Sequence, residues 1–364
     1  MAKTIVDQQT ARRIMRTGLT AYDPELAYPG YMLFGTEHGR SMRLTDLKGE
    51  DIHRWQLPSD LYYGYLRPDG NLFYWGPNRD STERYIPAWP AVGSGIMREV
   101  DWDGKVVWEH FDSYQHHDAR RTASGGVIYP ALERVPDKLA KIIQGGLEGN
   151  WTGGVWSDVI VEVDKNGNRI WEWHAYEHLD PEIEVLPPNA GRAEWTHINT
   201  VVDLDSDHVM FSARAISVVA IVRKSTGKIE WRVGPEVLAQ QHDCSELLNG
   251  NILVFNNGVY KAQGGQVGSS VLEIDRQTRK VVWEYSDQPS DNFYSGKVSG
   301  TRRLANGNTL ITDGVFGRMF QVTSDKEVVW EYINPDFITR HDGIVTNQIF
   351  RSAHYSREEL PKFG

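Results

Sequence analysis

The stretch Val281-Val282-Trp283-Glu284 recurs along the chain as one of six related copies, and this repeat decides the fold. Each copy has one tryptophan with an isoleucine or valine shortly before it, and the others lie at residues 52–55, 106–109, 169–172, 229–232 and 328–331. Successive tryptophans are 53, 63, 60, 52 and 47 residues apart. Repeats of this length accommodate four short strands with their loops, which is typical of one blade of a β-propeller.

Hairpin turns separate the strands of each repeat. Asp103-Gly104 and Asn166-Gly167 precede two of the tryptophan strands, and Asn249-Gly250 lies in an inner hairpin upstream of a third. Asn, Asp and Gly tolerate the positive φ angles that both central residues of such turns adopt. We therefore predict an all-β fold, a six-bladed β-propeller. A β-sandwich is the alternative, but sandwiches rarely repeat a tryptophan strand six times.

The two ends of the chain are predicted to close the ring. Five complete repeats follow Leu61, whereas residues 31–58 supply a sixth repeat that lacks its innermost strand. Residues 347–351 are predicted to provide that strand, since pairing of the N- and C-terminal segments removes the free edges of an open ring. Residues 1–26 then form an N-terminal extension with a short helix, and residues 27–364 form a single propeller domain.

Composition and charge restrict the classes of partner. The chain of 364 residues has a formal net charge of −10, and an acidic surface repels phosphate backbones, so we expect no nucleic-acid partner. The single cysteine, Cys244, excludes an intrachain disulfide. The sequence contains no run of about 18 apolar residues, and its first residues lack the apolar segment of a secretory signal. We expect a cytoplasmic protein without a membrane partner.

Histidines occupy similar positions in three successive repeats, seven or eight residues before the turn of the inner hairpin. They are His117, His197 and His242, and the position holds Tyr62 and Ser299 in two further repeats. Equivalent positions of successive blades face one another around a propeller axis, so we expect these side chains to meet at one mouth of the channel. His341, at the entry to the closing strand, is a candidate fourth histidine. A polar channel filled with water is the plainer interpretation.

A second repeat position, at the end of the next strand, holds Arg214 and Asn257. Arg214 follows the largely apolar run Phe211-Ser212-Ala213. A buried guanidinium requires an anionic partner, and its fork of donors fits sulfate, phosphate or carboxylate. The alternative to a bound anion is an ion pair with an aspartate of the same repeats, namely Asp118, Asp243 or Asp313.

At these residues the sequence resembles the bacterial aryl-sulfate sulfotransferases of the arylsulfotransferase family. The resemblance runs from about residue 62 to residue 332, and its most specific part is His197-Ile198-Asn199 followed by Arg214. It implies a six-bladed propeller that passes a sulfuryl group between phenols through a sulfated histidine, without a cofactor. Small aromatic or anionic molecules are then the expected partners.

The resemblance also implies a role for each matching residue. His242 corresponds to the nucleophile, and Arg214, His197 and Asn199 correspond to groups that hold the sulfuryl oxygens. His117, or its neighbour His116, corresponds to the histidine that protonates the leaving phenolate. The predicted substrate-binding residues around these groups are Asn199, His116, Tyr62, Ser299, Thr301, Asn257 and His341.

Imidazoles that converge on an axis also suit a metal ion, so the residues alone leave a second class of function open. A divalent metal would act there as a Lewis acid for a lyase or hydrolase. Its ligands would be His117, His197, His242 and His341. A non-catalytic binding propeller is a third interpretation.

Overall fold

The computed structural model of the protein describes residues 3–78, 95–147, 154–261 and 267–360. The strands of the first half are β1 (Gly18–Tyr22), β2 (Tyr31–Phe34), β3 (Ser41–Asp46), β4 (Asp51–Gln56), β5 (Tyr63–Leu66), β6 (Leu72–Pro77), β7 (Gly95–Val100), β8 (Val106–Asp112), β9 (Arg120–Arg121), β10 (Val127–Arg134), β11 (Gly145–Leu147), β12 (Trp156–Val163), β13 (Arg169–His174) and β14 (Leu186–Gly191). Those of the second half are β15 (Ile198–Asp203), β16 (His208–Ala213), β17 (Val218–Arg223), β18 (Ile229–Val233), β19 (His242–Glu246), β20 (Ile252–Asn256), β21 (Ser270–Ile274), β22 (Val281–Tyr285), β23 (Gly300–Arg303), β24 (Thr309–Asp313), β25 (Arg318–Val322), β26 (Val328–Ile333), β27 (Ile338–Thr339), β28 (Val345–Thr346) and β29 (Ala353–Tyr355).

Helical segments in the described ranges are short. They are α1 (Thr10–Arg13), α2 (Asp137–Ala140), α3 (Ala175–His178) and a 3-10 turn at Ser290–Asn292. None of them has the length and apolar character that a membrane-crossing helix needs.

Six antiparallel sheets form the six blades of a propeller, which confirms the predicted fold. From the axis outwards they are β29-β2-β3-β4, β5-β6-β7-β8, β9-β10-β12-β13, β15-β16-β17-β18, β19-β20-β21-β22 and β23-β24-β25-β26. Apolar side chains fill the spaces between blades; Phe255 of blade five and Phe320 of blade six, for example, belong to one buried cluster. No blade buries its own faces, so the ring folds as a unit.

The repeated tryptophans join each blade to the next. Every tryptophan of the outermost strand donates its indole N–H to a backbone carbonyl in the following blade. The pairs are Trp55 with Asp101, Trp108 with Lys165, Trp171 with Lys224, Trp231 with Arg276, Trp283 with Ser324 and Trp330 with Leu47, at 2.7 to 3.4 Å. The last pair links blade six to blade one and completes the circle.

The closing strand lies a few residues later than predicted. β29, not residues 347–351, pairs with β2 as the innermost strand of blade one. From the predicted segment only Ile349 forms a bridge, with Thr36. The neighbouring residues make other contacts. The carbonyl of Phe350 accepts from the backbone N–H of Ser299 at 2.9 Å, and the guanidinium of Arg351 lies 3.1 Å from the carboxylate of Asp118. The segment therefore crosses from blade six to blade one before the strand begins.

The N-terminal residues contact the outside of blade six. β1 pairs with β26 and adds a fifth strand to that sheet. α1 is attached to the same strand, because the side chain of Arg13 lies 3.2 Å from the carboxylate of Glu331 and both are buried. Arg318 lies 2.7 Å from the same carboxylate. The predicted short helix thus spans Thr10–Arg13, and part of the segment 1–26 extends the ring.

Candidate active site

A cavity of about 320 Å³ lies where the innermost strands of blades three, four and five begin. This volume is at the lower end of the range for small-molecule sites. Its lining residues are Glu37, His38, Tyr62, His117, His197, Arg214, His242, Lys297, Val298, Arg340, Gln348 and Phe350. The three histidines and the arginine singled out from the repeat positions therefore meet at one place.

His242 is held by Asn257, the residue at the end of the next strand. Its Nδ1 lies 2.8 Å from the Asn257 Oδ1. The Asn257 Nδ2 donates to the carbonyls of Ser295 and Val298 at 2.6 and 3.2 Å, so the oxygen must face His242 and the Nδ1 of His242 must carry the proton. The Nε2 lone pair is left without a hydrogen bond to any described residue, in a side chain that lines the cavity.

His117 and His197 face each other, with 3.0 Å between their Nε2 atoms. Both have left-handed backbone, with φ of 56° and 57°, and the indole of Trp75 donates to the His117 carbonyl at 2.9 Å. In blade five the left-handed residues at this position are Gln240 (φ 53°) and Asp243 (φ 49°), which flank His242. The three histidines therefore share a cavity without sharing one backbone geometry.

A line of contacts runs from this pair of imidazoles to a carboxylate on each side. The Nδ1 of His197 lies 2.8 Å from Glu194, and the Nδ1 of His117 lies 2.9 Å from the Nδ1 of His116. The Nε2 of His116 in turn lies 2.7 Å from Asp158, with both side chains fully buried. The result is a continuous line of short contacts in the order Asp158, His116, His117, His197 and Glu194.

Burial and positive charge keep the cavity histidines neutral. Burial lowers the pKa of His117, His197 and His242 well below the ordinary histidine value, and the charge of Arg214 lowers all three pKa values further. An uncharged imidazole can act as a nucleophile or accept a proton, whereas an imidazolium cannot.

The cavity carries more positive than negative charge. Arg214, Lys297 and Arg340 line it, against one carboxyl, Glu37. Burial raises the pKa of Glu37 above its ordinary value, although the charge of Lys297 opposes this. The guanidinium of Arg214 has no ion pair or side-chain hydrogen bond with the described residues. A cation in this position suits an anionic ligand.

An aromatic wall faces these charges. The rings of Tyr62 and His38 meet edge to face with centroids 5.3 Å apart, and Phe350 lies 6.1 Å from Tyr62. Val298 adds an aliphatic side chain. The cavity therefore combines a surface for a flat apolar ring with a group of cations.

Several predicted site residues do not line the cavity. Asn199 is fully buried and donates its amide to the Gln241 carbonyl at 2.8 Å. Thr301 donates its hydroxyl to the Leu310 carbonyl at 3.1 Å, and Ser299 donates to Ser295 at 2.8 Å. His341 is exposed in the turn between β27 and β28. Asn257 and His116 stand directly behind the cavity histidines.

The nearby aspartates pair with arginines and not with His242: Asp118 also lies 3.5 Å from Arg120, and Asp243 lies 2.7 Å from Arg302. The sequence left Asp118, Asp243 and Asp313 open as ion-pair partners for Arg214. Arg351, 1% exposed, lies 3.1 Å from Asp118 and 3.4 Å from Asp243. The Arg351 guanidinium contacts both carboxylates. His242 is therefore oriented by Asn257 and not by an aspartate, and the donors of Arg214 remain available for a ligand.

The described residues do not bring three metal ligands together. In the ranges that the structure covers, no group of three His, Cys, Asp or Glu side chains has the geometry to hold a metal ion. His117 and His197 direct their Nε2 atoms at each other, and His341 lies elsewhere. The observed arrangement therefore does not fit the tetrad proposed from sequence.

Sequence reasoning missed the charged residues around the histidines. Asp158, Glu194, Lys297 and Arg340 lie in strands or loops outside the two repeat positions that were compared. Nothing in the sequence indicates that Asp158 lies near Thr196 and His197, because β12 and the loop before β15 come together only in the folded ring.

Fold and cavity define the class of protein: a six-bladed propeller with a cationic, histidine-rich cavity where its inner strands begin. The chain belongs to the arylsulfotransferase (ASST) family, whose profile matches residues 86–335. The matched region contains Arg214, His117, His197 and His242; the part of the wall made by His38, Tyr62 and Phe350 lies outside it.

Three further comparisons found similar proteins. A protein of unknown function from Bacteroides caccae superposes with a TM-score of 0.55 at 12% identity, over 90% of this chain and 98% of that one. A streptogramin B lyase gives a TM-score of 0.49 at 13% identity, over 93% of each chain. The quinohemoprotein alcohol dehydrogenase ADH IIB of Pseudomonas putida is 26% identical over 110 residues, which is 30% of this chain and 15% of that protein's length.

Proposed function

We propose that the protein transfers a sulfuryl group from an aryl sulfate to a phenol, with His242 as the nucleophile. One observation carries the proposal. The fixed amide of Asn257 places the proton of His242 on Nδ1, which leaves the Nε2 lone pair available in a cavity with excess positive charge. A neutral, oriented imidazole beside an uncompensated guanidinium suits attack on an anionic electrophile.

In the first half of the reaction the Nε2 of His242 attacks sulfur. The N–S bond forms as the bond between sulfur and the aryl oxygen breaks, and the phenolate leaves with the bonding pair. The proton on Nδ1 stays in place, and the positive charge that develops on the ring is shared with the Asn257 oxygen. The Nε2 of His117 donates its proton to the leaving oxygen, while the Nδ1 of His117 takes up a proton from the Nδ1 of His116, 2.9 Å away, so that His117 stays neutral.

The second half is the reverse with a new phenol. The Nε2 of His117 accepts the phenol proton, the phenolate oxygen attacks sulfur and the N–S bond breaks, so neutral His242 is restored. Arg214 holds the non-bridging oxygens through both halves, and Lys297 adds charge beside it. Asn199 does not hold the sulfuryl oxygens in this proposal, because its side-chain amide donates to the Gln241 carbonyl.

The aromatic wall selects the substrate class in this proposal. An aryl ring packs against Tyr62 and Phe350 while the sulfate group points to Arg214. We expect aryl sulfates as donors and phenols as acceptors, and we expect alkyl sulfates to be poor donors because they lack the ring and leave as strongly basic alkoxides.

The test is the mass of the protein after incubation with a nitrophenyl sulfate and no acceptor. The protein should gain the mass of one sulfuryl group and lose it when a phenol is added. His242→Asn should abolish both the mass gain and the release of nitrophenol. His208→Gln, which alters a histidine outside the cavity, is the matched control and should behave as the original protein. Turnover by the original protein with no mass gain in any phase would contradict a covalent histidine intermediate.

A further inference from the structure

The number of protons bound along the line of contacts behind the cavity can be counted. It contains four short contacts between five groups: Asp158 with His116, His116 with His117, His117 with His197, and His197 with Glu194. Each contact joins two nitrogen or oxygen atoms at 2.7 to 3.0 Å. We assign one proton to each contact, because two facing lone pairs would repel.

Three neutral imidazoles supply only three protons for these four contacts. Ionised carboxylates only accept, so with both ends of the line ionised one imidazole must donate from both of its nitrogens. With ionised carboxylates, the line therefore holds one proton more than its neutral histidines would carry. That imidazole is His116, His117 or His197.

The surroundings select His116 for the additional proton. Arg214 faces His117 and His197, and its charge disfavours a second positive charge on either. His116 is fully buried against Asp158 at 2.7 Å. Burial alone would raise the pKa of Asp158, but hydrogen bonding and charge from His116 hold it below the ordinary value. The hydroxyl of Thr196 and the backbone N–H of Ile198 complete the coordination of the carboxylate.

We propose that His116, held as a cation by Asp158, is the proton reservoir of the cavity and that His117 relays its proton to the reacting oxygen. The relay rests on the proposed sulfuryl transfer, whereas the charge of His116 rests on the contacts alone. Asp158 is a positioning residue in this scheme, since it acts only through His116.

The relay balances in protons and charge. As the aryl oxygen leaves sulfur, it replaces His197 as the acceptor for the Nε2–H of His117 and takes that proton. The Nδ1–H of His116 moves to the Nδ1 of His117 in the same step. His117 ends neutral with its proton on the other nitrogen, His116 ends neutral beside Asp158, and the product is a phenol. Deprotonation of the acceptor phenol runs the same steps backwards and recharges His116.

Charged groups face the relay from several elements. Asp158 on β12 and Glu194 before β15 hold its two ends, and Arg214 and His242 face its middle from blades four and five. Asp158 contacts His116 directly at 2.7 Å and does not line the cavity, so replacing it should discharge the reservoir without removing a group from the cavity.

The leaving group of the donor tests the relay. Asp158→Asn should release a nitrophenol, which leaves without protonation, at a rate within about threefold of the original protein. Release of unsubstituted phenol from phenyl sulfate should fall by about 100-fold, the usual size of a general-acid contribution. Glu133→Gln is the matched control: it removes the carboxylate that lies 2.7 Å from His174 in the same blade, and it should change neither rate. An equal loss with both donors would show a structural role and overturn the relay.

The charge of His116 is measured separately by the nitrogen chemical shifts of the imidazoles, assigned with His116→Asn. Both ring nitrogens of His116 should be protonated at neutral pH in the original protein, and only one in Asp158→Asn. A singly protonated His116 in the original protein would overturn the reservoir. If the original protein transfers from neither donor, the proposed function fails, and these shifts alone decide whether the reservoir exists.

Discussion

A single amide determines how the central histidine is presented. The Asn257 Nδ2 donates to two carbonyls, so its oxygen has one orientation, and the proton of His242 is fixed on Nδ1. A histidine free to exchange its tautomers would present a lone pair to the cavity only part of the time. The neighbouring Asn256 is equally buried, but it accepts from the backbone N–H of Ala239 at 2.7 Å and does not line the cavity.

These two asparagines give a matched pair of variants. Asn257→Leu should lower the rate of sulfuryl uptake by His242 by about 100-fold or more, because the imidazole loses the partner that fixes its tautomer. Asn256→Leu should lower stability to a similar degree without this loss of rate. The comparison requires pre-steady-state mass labelling and the denaturation midpoint of each variant. Equal rates in both variants would show that Asn257 does not orient the nucleophile.

In every blade, the outermost strand makes the same type of hydrogen bond to the next blade. Its tryptophan donates to a turn of the next blade, which explains why the repeat that decides the fold carries an indole and not merely an apolar ring. Trp330 closes the circle: it is 1% exposed, and its acceptor belongs to Leu47, which is 5% exposed. Trp283 makes the same contact near the surface.

Removal of the indole N–H should therefore cost more at the closure than elsewhere. Trp330→Phe leaves the Leu47 carbonyl buried without its donor, which we expect to lower the free energy of unfolding by about 1–3 kcal/mol. Trp283→Phe leaves a carbonyl that water can reach, and its cost should stay below about 1 kcal/mol. Urea denaturation of both variants measures the difference, and a larger loss for Trp283→Phe would argue against closure by this contact.

In the molecule as a whole, the ring places several neutral histidines at its centre. The unfolded chain binds a proton on each of these side chains near the ordinary pKa of 6.5, whereas burial keeps His117, His197 and His242 unprotonated in the folded state to much lower pH. Below pH 6.5 the unfolded state therefore binds more protons than the folded state, and stability falls as the pH falls.

Acid should destabilise the protein in proportion to the number of such histidines. Each contributes a slope of up to about 1.4 kcal/mol per pH unit below pH 6.5, so His242→Asn should make the dependence shallower by about that amount. His208→Gln, outside the cavity, is the control. Urea midpoints between pH 5 and pH 7 provide the measurement. An unchanged slope in His242→Asn would mean that His242 is protonated in the folded protein as readily as in the unfolded chain.

The sequence by itself determined the six-bladed fold and the meeting of His117, His197, His242 and Arg214. Both follow from periodicity, because a blade repeats its strand positions and equivalent positions face the axis. The tertiary structure alone decided the closing strand, which is β29 because the side chains before it occupy the channel. It also decided that Asn257 and not an aspartate holds His242, and that His341 stays outside. These features depend on contacts between segments far apart in the chain, and such contacts leave no periodic pattern in the sequence.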